Sequence, residues 1–276
     1  MTQNSAPPNW RRPPGLAKGT WEYVHQRSIA RHYDDFVADT PLCQLDQQYV
    51  ERVLADVRRE QSAGHQEKLL ESRPLILDLG CGTGRLALPV SESGCDVLAI
   101  DLSQPMLCEL RQRCPAPAGG QIWPIHANLV QLQGLRDGIA DHAICMFSTL
   151  GMIQARQNRI EFLRHVARIV KPNGTFVVHV HRRWAGLRES GGWRRLAGSW
   201  LHSLRDRESE FGDATYPYRG LQNMFMHRFS GSELRSELAA AGWRLDRLDR
   251  VDLQGQRLTQ SRWNSSGYFA VCTAFE

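Results

Sequence analysis

Lysine is nearly missing from this chain: among 34 basic residues only Lys18, Lys68 and Lys171 are lysines, and the rest are arginines. Arginine suits bidentate contact with carboxylates and phosphates. A formal net charge of +5 over 276 residues is nevertheless too small to mark a dedicated nucleic-acid binder, and genome base composition alone can produce an arginine bias. Long apolar runs are missing too. The longest, such as Ala143 to Phe147, are strand-sized and far short of the roughly 20 residues that span a bilayer. The seven cysteines (Cys43, Cys81, Cys95, Cys108, Cys114, Cys145 and Cys272) are odd in number, scattered and without a C-x-x-C pair. That pattern argues against a disulfide framework or a zinc site and for reduced thiols in a cytoplasmic, soluble protein. The stretch from Met1 to Gly19 is polar and proline-rich, without the apolar segment of a secretory signal, and residues 1–20 read as a flexible arm.

From Pro74 onward short apolar runs alternate with helical periodicity, the pattern of repeated βαβ units. Strands are predicted at Leu75 to Leu79, Asp96 to Asp101, Gln121 to His126, Asp141 to Phe147, Thr175 to His181, Trp243 to Val251 and Tyr268 to Phe275. Ser103 is placed to cap a helix through Met106, Leu107 and Leu110. Ile160, Leu163, Val166, Ala167 and Val170 form an apolar stripe ending before Pro172. Ser230 with Glu233 makes a capping-box pattern, closed by Gly242. The fold class is therefore α/β, a three-layer Rossmann-like arrangement around a mainly parallel sheet. Residues 21–72 read as an N-terminal helical segment, with two helices over residues 21–59 split near Pro41, residues 73–276 as the main domain, and residues 182–229 as an insertion after the fifth strand.

The most informative stretch is Leu75-Ile76-Leu77-Asp78-Leu79-Gly80-Cys81-Gly82-Thr83-Gly84-Arg85. An apolar strand runs straight into alternating glycines, which permit a sharp turn and close approach of the backbone to a ligand. Asp101, 101 − 80 = 21 residues after Gly80, ends the next strand where a carboxylate can accept hydrogen bonds from ribose hydroxyls. A dinucleotide fingerprint would need its third glycine at position 85, which is Arg85, so the pyrophosphate-binding helix start is not encoded. Asp78 would also repel phosphates while favouring an ammonium or sulfonium cation. An amino-acid-bearing adenosine cofactor fits better than NAD.

On these residues the chain resembles the class I S-adenosylmethionine-dependent methyltransferases. Asp78-Leu79-Gly80-Cys81-Gly82-Thr83-Gly84 matches their first motif, and Asp101-Leu102-Ser103-Gln104-Pro105-Met106 is similar to their second. The resemblance implies a seven-stranded sheet with one antiparallel strand, N-terminal helices across the cofactor cleft, and S-adenosyl-L-methionine as cofactor, with S-adenosyl-L-homocysteine as product. It places Gly80, Gly82 and Gly84 at the amino-acid end and Asp101 at the ribose hydroxyls, with Asp78, Cys81, Leu102 and Met106 also binding the cofactor. Ala127, Asn128 and Leu129 fall near adenine, Met146 and Phe147 beside the sulfonium, and Tyr33, with Asp34, over the cofactor. Asn128 stands where the family usually has an acidic residue.

A methyl sulfonium is a strong electrophile, so the family has no universal catalytic residue and none is assigned. Phe147-Ser148-Thr149-Leu150 lacks the Asn/Asp-Pro-Pro-Tyr/Phe segment of enzymes that methylate exocyclic amino groups of bases. His179 and His181 alternate on the fifth strand, with His181 nearer the ligand-binding end; a polar strand-end role competes with one as base. No metal site is evident among the ten histidines. The insertion is rich in arginine and aromatics, and we read it as an acceptor lid with His181, Tyr216, Arg219 and His227 facing the acceptor. Its chemistry fits an RNA loop, an anionic membrane near a lipid or quinone, or a small carboxylate or phosphate. Asn223 to Phe229 also resembles a segment of tRNA wobble-uridine methyltransferases. A small-molecule acceptor, methylated on O, N or C, ranks first. Methylation of tRNA, of a lipid or of a quinone, NAD-dependent oxidoreduction, and cofactor binding without catalysis are the alternatives.

Overall fold

The computed structural model describes residues 6–64, 73–114, 119–188, 191–206 and 209–275. Among the described residues, a 3-10 turn (Asn9–Arg11) and four α-helices precede the first strand: α1 (Lys18–Val24), α2 (Arg27–Arg31), α3 (Tyr33–Val37) and α4 (Pro41–Gly64). Then follow β1 (Leu75–Leu79), α5 (Ala87–Glu92), β2 (Asp96–Asp101), α6 (Gln104–Arg113), β3 (Ile122–His126), β4 (Ala140–Cys145), α7 (Arg156–Ile169) and β5 (Val170–His181). The insertion contributes α8 (Gly192–Arg205), β6 (Asp213–Tyr218) and β7 (Leu221–His227). The chain closes with α9 (Gly231–Ala240), β8 (Trp243–Val251), β9 (Leu258–Thr259) and β10 (Gly267–Ala274). The predicted caps form: Ser103 Oγ accepts from the Met106 N–H, and Ser230 and Glu233 close a capping box.

The main sheet runs β3-β2-β1-β4-β5-β10-β8-β9. The first five strands are parallel, and β10 is inserted antiparallel between β5 and β8. The α/β reading with a reversed last strand therefore holds, but the sheet has eight strands, not seven. The additional one is β9, two residues pairing with the end of β8, too short to show any apolar period. Side chains alternate across the sheet as the pleat requires. Leu77, Ala143, Cys145, Phe176 and Val178 join a core under α7 and α9, while Ile76, Val97, Ala99, Ile144 and Val177 join one under α4, α5 and α6. All seven cysteines are free thiols.

Two expectations for the N-terminal region need correction. Residues 21–59 form not two helices but three short ones and the start of α4, because the backbone leaves helical geometry at Gln26 (ψ 102°) and is irregular at His32. Neither break involves glycine or proline. Nor is the arm loose from Ala6 onward: Leu16 and Ala17 are buried, Trp21 Nε1 donates to the Pro7 carbonyl at 2.8 Å, and Gln154 N donates to Gly15 O at 2.8 Å. Residues 1–5 and 65–72 lie outside the described residues. Helix α1 packs on β7, and a Cβ on Gly19 would overlap the Asn223 carbonyl, so only glycine permits this approach.

A buried charge network holds the insertion to the domain. Arg159 on α7, fully buried, donates to Glu237 on α9 at 2.7 and 3.0 Å and to Glu210, just before β6, at 2.8 Å. His227 at the end of β7 meets Asp213 at 2.6 Å and Glu233 at 3.1 Å, and Arg183 pairs with Glu233. Removing one partner of such a group strands a charge away from water. Arg159→Ala is expected to lower unfolding free energy by about 3–5 kcal/mol, read by urea denaturation; a loss under about 1 kcal/mol would show that the network contributes little.

Candidate functional site

At the carboxyl end of β1 the chain turns within two residues, with Gly80 at φ 77° and Gly82 at φ 55°. Gly80 N donates to Ile100 O at 2.8 Å, locking the turn to the end of β2. Asp101 then accepts from Gly82 N at 2.8 Å and from Ser103 N at 2.7 Å, which orients its carboxylate along the turn. Beyond the turn lies a cavity roofed by α1, the residues before it and the hairpin of β6 and β7.

Most predicted site residues meet in this cavity. Asp78, Gly80, Cys81, Gly82, Asp101, Leu102, Met106, Asn128, Leu129, Met146 and Phe147 all line it, as do Tyr33, His181 and Tyr216. Four do not. Gly84, at φ 89°, packs its backbone against the Leu110 side chain and does not line the cavity. Ala127 packs against the core, its N–H donating to Asp101 O at 3.1 Å. Arg219 sits in a turn at φ 48° with its guanidinium 3.9 Å from the centroid of the Phe36 ring. His227 is fully buried between carboxylates on the other face of its strand. Asn128 is only partly available: its amide N–H groups go to Pro14 O and Gln131 Oε1, and its oxygen accepts from Val130 N.

Other lining residues were not foreseen: Gly15, Leu16, Thr20, Tyr23, Arg85, Met152, Ile153, Tyr218, Met224 and Met226. Arg85 carried one signal, its place directly after the glycine turn. It donates to Asp46 Oδ2 at 2.9 Å and to Cys43 O at 2.8 Å while still reaching the cavity. At the end of β4, Phe147 (φ 53°) and Ser148 (φ 64°) are both left-handed, strained conformations for such residues. Ser148 Oγ accepts from His181 N at 3.1 Å, tying the ends of β4 and β5 together.

The polar lining is under-satisfied. Asp78 Oδ2 and Thr20 Oγ1 are buried with no hydrogen-bond partner, and both residues face the cavity. Burial pushes the Asp78 carboxyl up to about 7, opposed by nearby Arg85 and reinforced by Asp101. Asp101 is also raised by burial, while the N–H donors of Ser103 and Gly82 pull it back. An orphaned carboxyl of this kind is stabilised by a cation delivered with a ligand. Apart from Thr20, the contributions from α1 and the hairpin are Tyr, Met and Val. Elsewhere, Glu210, His227 and Glu233 bring donor atoms within 4.8 Å of one another. Arg159 and Arg183 already neutralise those carboxylates and oppose a further cation.

Comparison with known proteins agrees with this geometry. Residues 76–174 match the family described as a methyltransferase domain. A Bacillus subtilis protein that carries a methyltransferase designation, YqeM, is 30% identical over 115 residues, 42% of this chain and 45% of that one. A Rickettsia felis protein named ubiquinone biosynthesis O-methyltransferase is 30% identical over 108 residues, 39% of this chain and 41% of that one. The aligned region thus spans under half the length of these curated relatives. Among solved structures, one from Methanosarcina mazei titled as an SAM-dependent methyltransferase superposes with a TM-score of 0.61. It is 18% identical over 75% of this chain and 94% of its own, a likeness of fold.

The dry carboxyl predicts a pH dependence. A folded-state value of about 7, against the ordinary 3.8, means the folded protein binds more protons than the unfolded one between those values. Ligand-free stability therefore falls as pH rises from about 4 to 7, and Asp46, raised to about 7 by burial, acts in the same sense. Asp78→Asn is expected to flatten this profile and to be more stable than wild type at pH 8 by roughly 1–3 kcal/mol. Urea denaturation at pH 5 and 8 checks it; a wild-type to variant difference that ignores pH would show that Asp78 is not the group titrating.

Proposed function

We propose that this chain is a class I S-adenosylmethionine-dependent methyltransferase that transfers a methyl group from S-adenosyl-L-methionine to an O, N or C atom of a small-molecule acceptor. The observation that carries the reading is Asp78 Oδ2, buried without a hydrogen-bond partner on a residue that lines the cavity with the glycine turn and Asp101. A cationic amino-acid group answers it, whereas a pyrophosphate would meet a buried acid of the same sign.

The cavity residues fit the cofactor by their donors. Asp78 takes the ammonium group, and Arg85, held by Asp46, offers a guanidinium to the carboxylate. Asp101 keeps lone pairs for the ribose hydroxyls beyond the two already given to backbone N–H groups. Asn128 retains an acceptor lone pair for the purine amino group. When bound, the cofactor supplies a methyl group on a sulfonium, which needs an aligned nucleophile and a dry site. Tyr33 and the α1 segment exclude water. Met152, Met224, Met226, Tyr23 and Tyr216 shape an apolar space that suits a largely apolar acceptor. His181 is the cavity histidine able to take a proton from an acceptor hydroxyl, held by the bond from its backbone to Ser148.

Calorimetric titration tests the cofactor: S-adenosyl-L-homocysteine is expected to bind, and Asp101→Ala to weaken it at least about tenfold, since charge-assisted hydrogen bonds are worth about 1.5–3 kcal/mol each. Tighter binding of NAD would overturn the assignment. Isotope-labelled methyl donor supplied with separate metabolite, lipid and tRNA fractions tests the acceptor. Label is expected in a small molecule, and label confined to tRNA would overturn that part of the reading.

A further inference from the structure

Helix α8 has a face that nothing in the described protein covers. Gly192 is its only buried residue, while Trp193, Trp200, Leu201 and Leu204 are 62%, 51%, 45% and 66% exposed. Positions 193, 197, 200, 201 and 204 fall on one stripe of a 3.6-residue helix, so the exposure is a continuous face and not scattered single residues. The adjoining 3-10 turn at Arg183–Arg188 extends it with exposed Trp184 and Leu187. Trp263, 81% exposed, lies in the loop that Asn264 ties to Arg188 at 2.7 Å. No residue of α8 lines the cavity.

The arginines of the helix give it a cationic character, and Asp206 at its end is paired with His202 at 3.6 Å. Helix α8 carries Arg194, Arg195, His202 and Arg205 and no acidic residue. We propose that α8 docks the protein on an anionic membrane surface, lying in the headgroup plane with its Trp–Leu stripe buried and its arginines at the lipid phosphates. Three features favour a bilayer over other occupants. Tryptophans beside leucines and flanked by arginine match the layering of an interface, where indole sits at headgroup depth and aliphatic chains lie deeper. A second copy would set the arginines of one α8 against those of the other in a two-fold contact. A nucleic acid would leave the leucines without stacking or hydrogen-bonding partners. At 14 residues the helix is about 21 Å long, and no described helix is long and apolar enough to cross a membrane, so α8 lies on the surface. The proposal goes beyond the methyl-transfer reading and stands independently of it.

Vesicle co-sedimentation of the full chain tests it, using phosphatidylcholine with and without phosphatidylglycerol. Salt-sensitive binding is expected only when phosphatidylglycerol is present, with quenching of tryptophan fluorescence by brominated lipid. Trp193→Ser with Trp200→Ser, and separately Arg194→Glu with Arg205→Glu, should each weaken binding at least about tenfold while leaving S-adenosyl-L-homocysteine affinity and thermal midpoint unchanged. Equal partition of the wild type into both vesicle types, or into neither, would overturn the proposal. So would tighter binding of single-stranded RNA than of anionic vesicles at the same salt, or self-association abolished by the tryptophan substitutions without any vesicle binding.

Discussion

A carboxyl group kept dry at the end of β1 is the constraint around which the site is arranged. Strand β1 lies between β2 and β4, and Asp78, buried near its end, lines the cavity. Its neighbours offset its burial only in part: Arg85 favours the charge but is engaged by Asp46, and Asp101 adds a like charge. The glycine turn follows from the same place, because a chain leaving this strand with a side chain at position 80 would strike Thr149. The fold thus maintains a local polar deficit that a ligand of the right charge can remove, which is how binding energy concentrates at one end of a cofactor.

The insertion obeys a second constraint. Its hairpin must stand over the cavity, yet a two-stranded hairpin is marginal by itself. The carboxylates of Glu210, Asp213 and Glu233 together with Arg159, Arg183 and His227 anchor both of its strands to α7 and α9. Protonation of His227 is favoured by Asp213 and Glu233 although burial opposes it, which adds a third cation beside Arg159 and Arg183 to a group rich in carboxylates. Stiffness there leaves Tyr216, Tyr218, Met224 and Met226 in fixed positions on the cavity side. Helix α8 belongs to the same insertion but faces outward, so one inserted segment divides into a roof and an external surface.

What was legible in the sequence depended on how local the cause was. Asp78, Gly80, Gly82 and Asp101 were readable because a strand, a turn and the next strand-end carboxylate are encoded within about 25 residues of each other. Gly84 looked identical on paper, but it packs against Leu110 on another helix and does not line the cavity. His227 was misjudged on proximity alone. Counting by twos along β7 puts Met224 and Met226 on one face and His227 on the other, and the cavity takes the methionines. Arg85 and Thr20 had no pattern of their own. Their roles depend on Asp46 and on a helix whose packing is decided by contacts some 200 residues away. Strand β9 was missed for a simpler reason, since two residues carry no period.

The close approach of Gly19 to Asn223 has a consequence for how the molecule comes into being. Contacts between segments so far apart carry the full entropy of closing a long loop, and they form after the local βαβ units have taken shape. Synthesis runs from the N-terminus, so α1 waits, without its partner strand, until about 200 further residues have been made. The Rossmann-like half of the pocket can exist in a growing chain, but its roof cannot. A ligand that needs both halves is therefore unable to assist the early stages of folding. It acts only as the last fastening, holding the first helix and the late hairpin together once both have arrived.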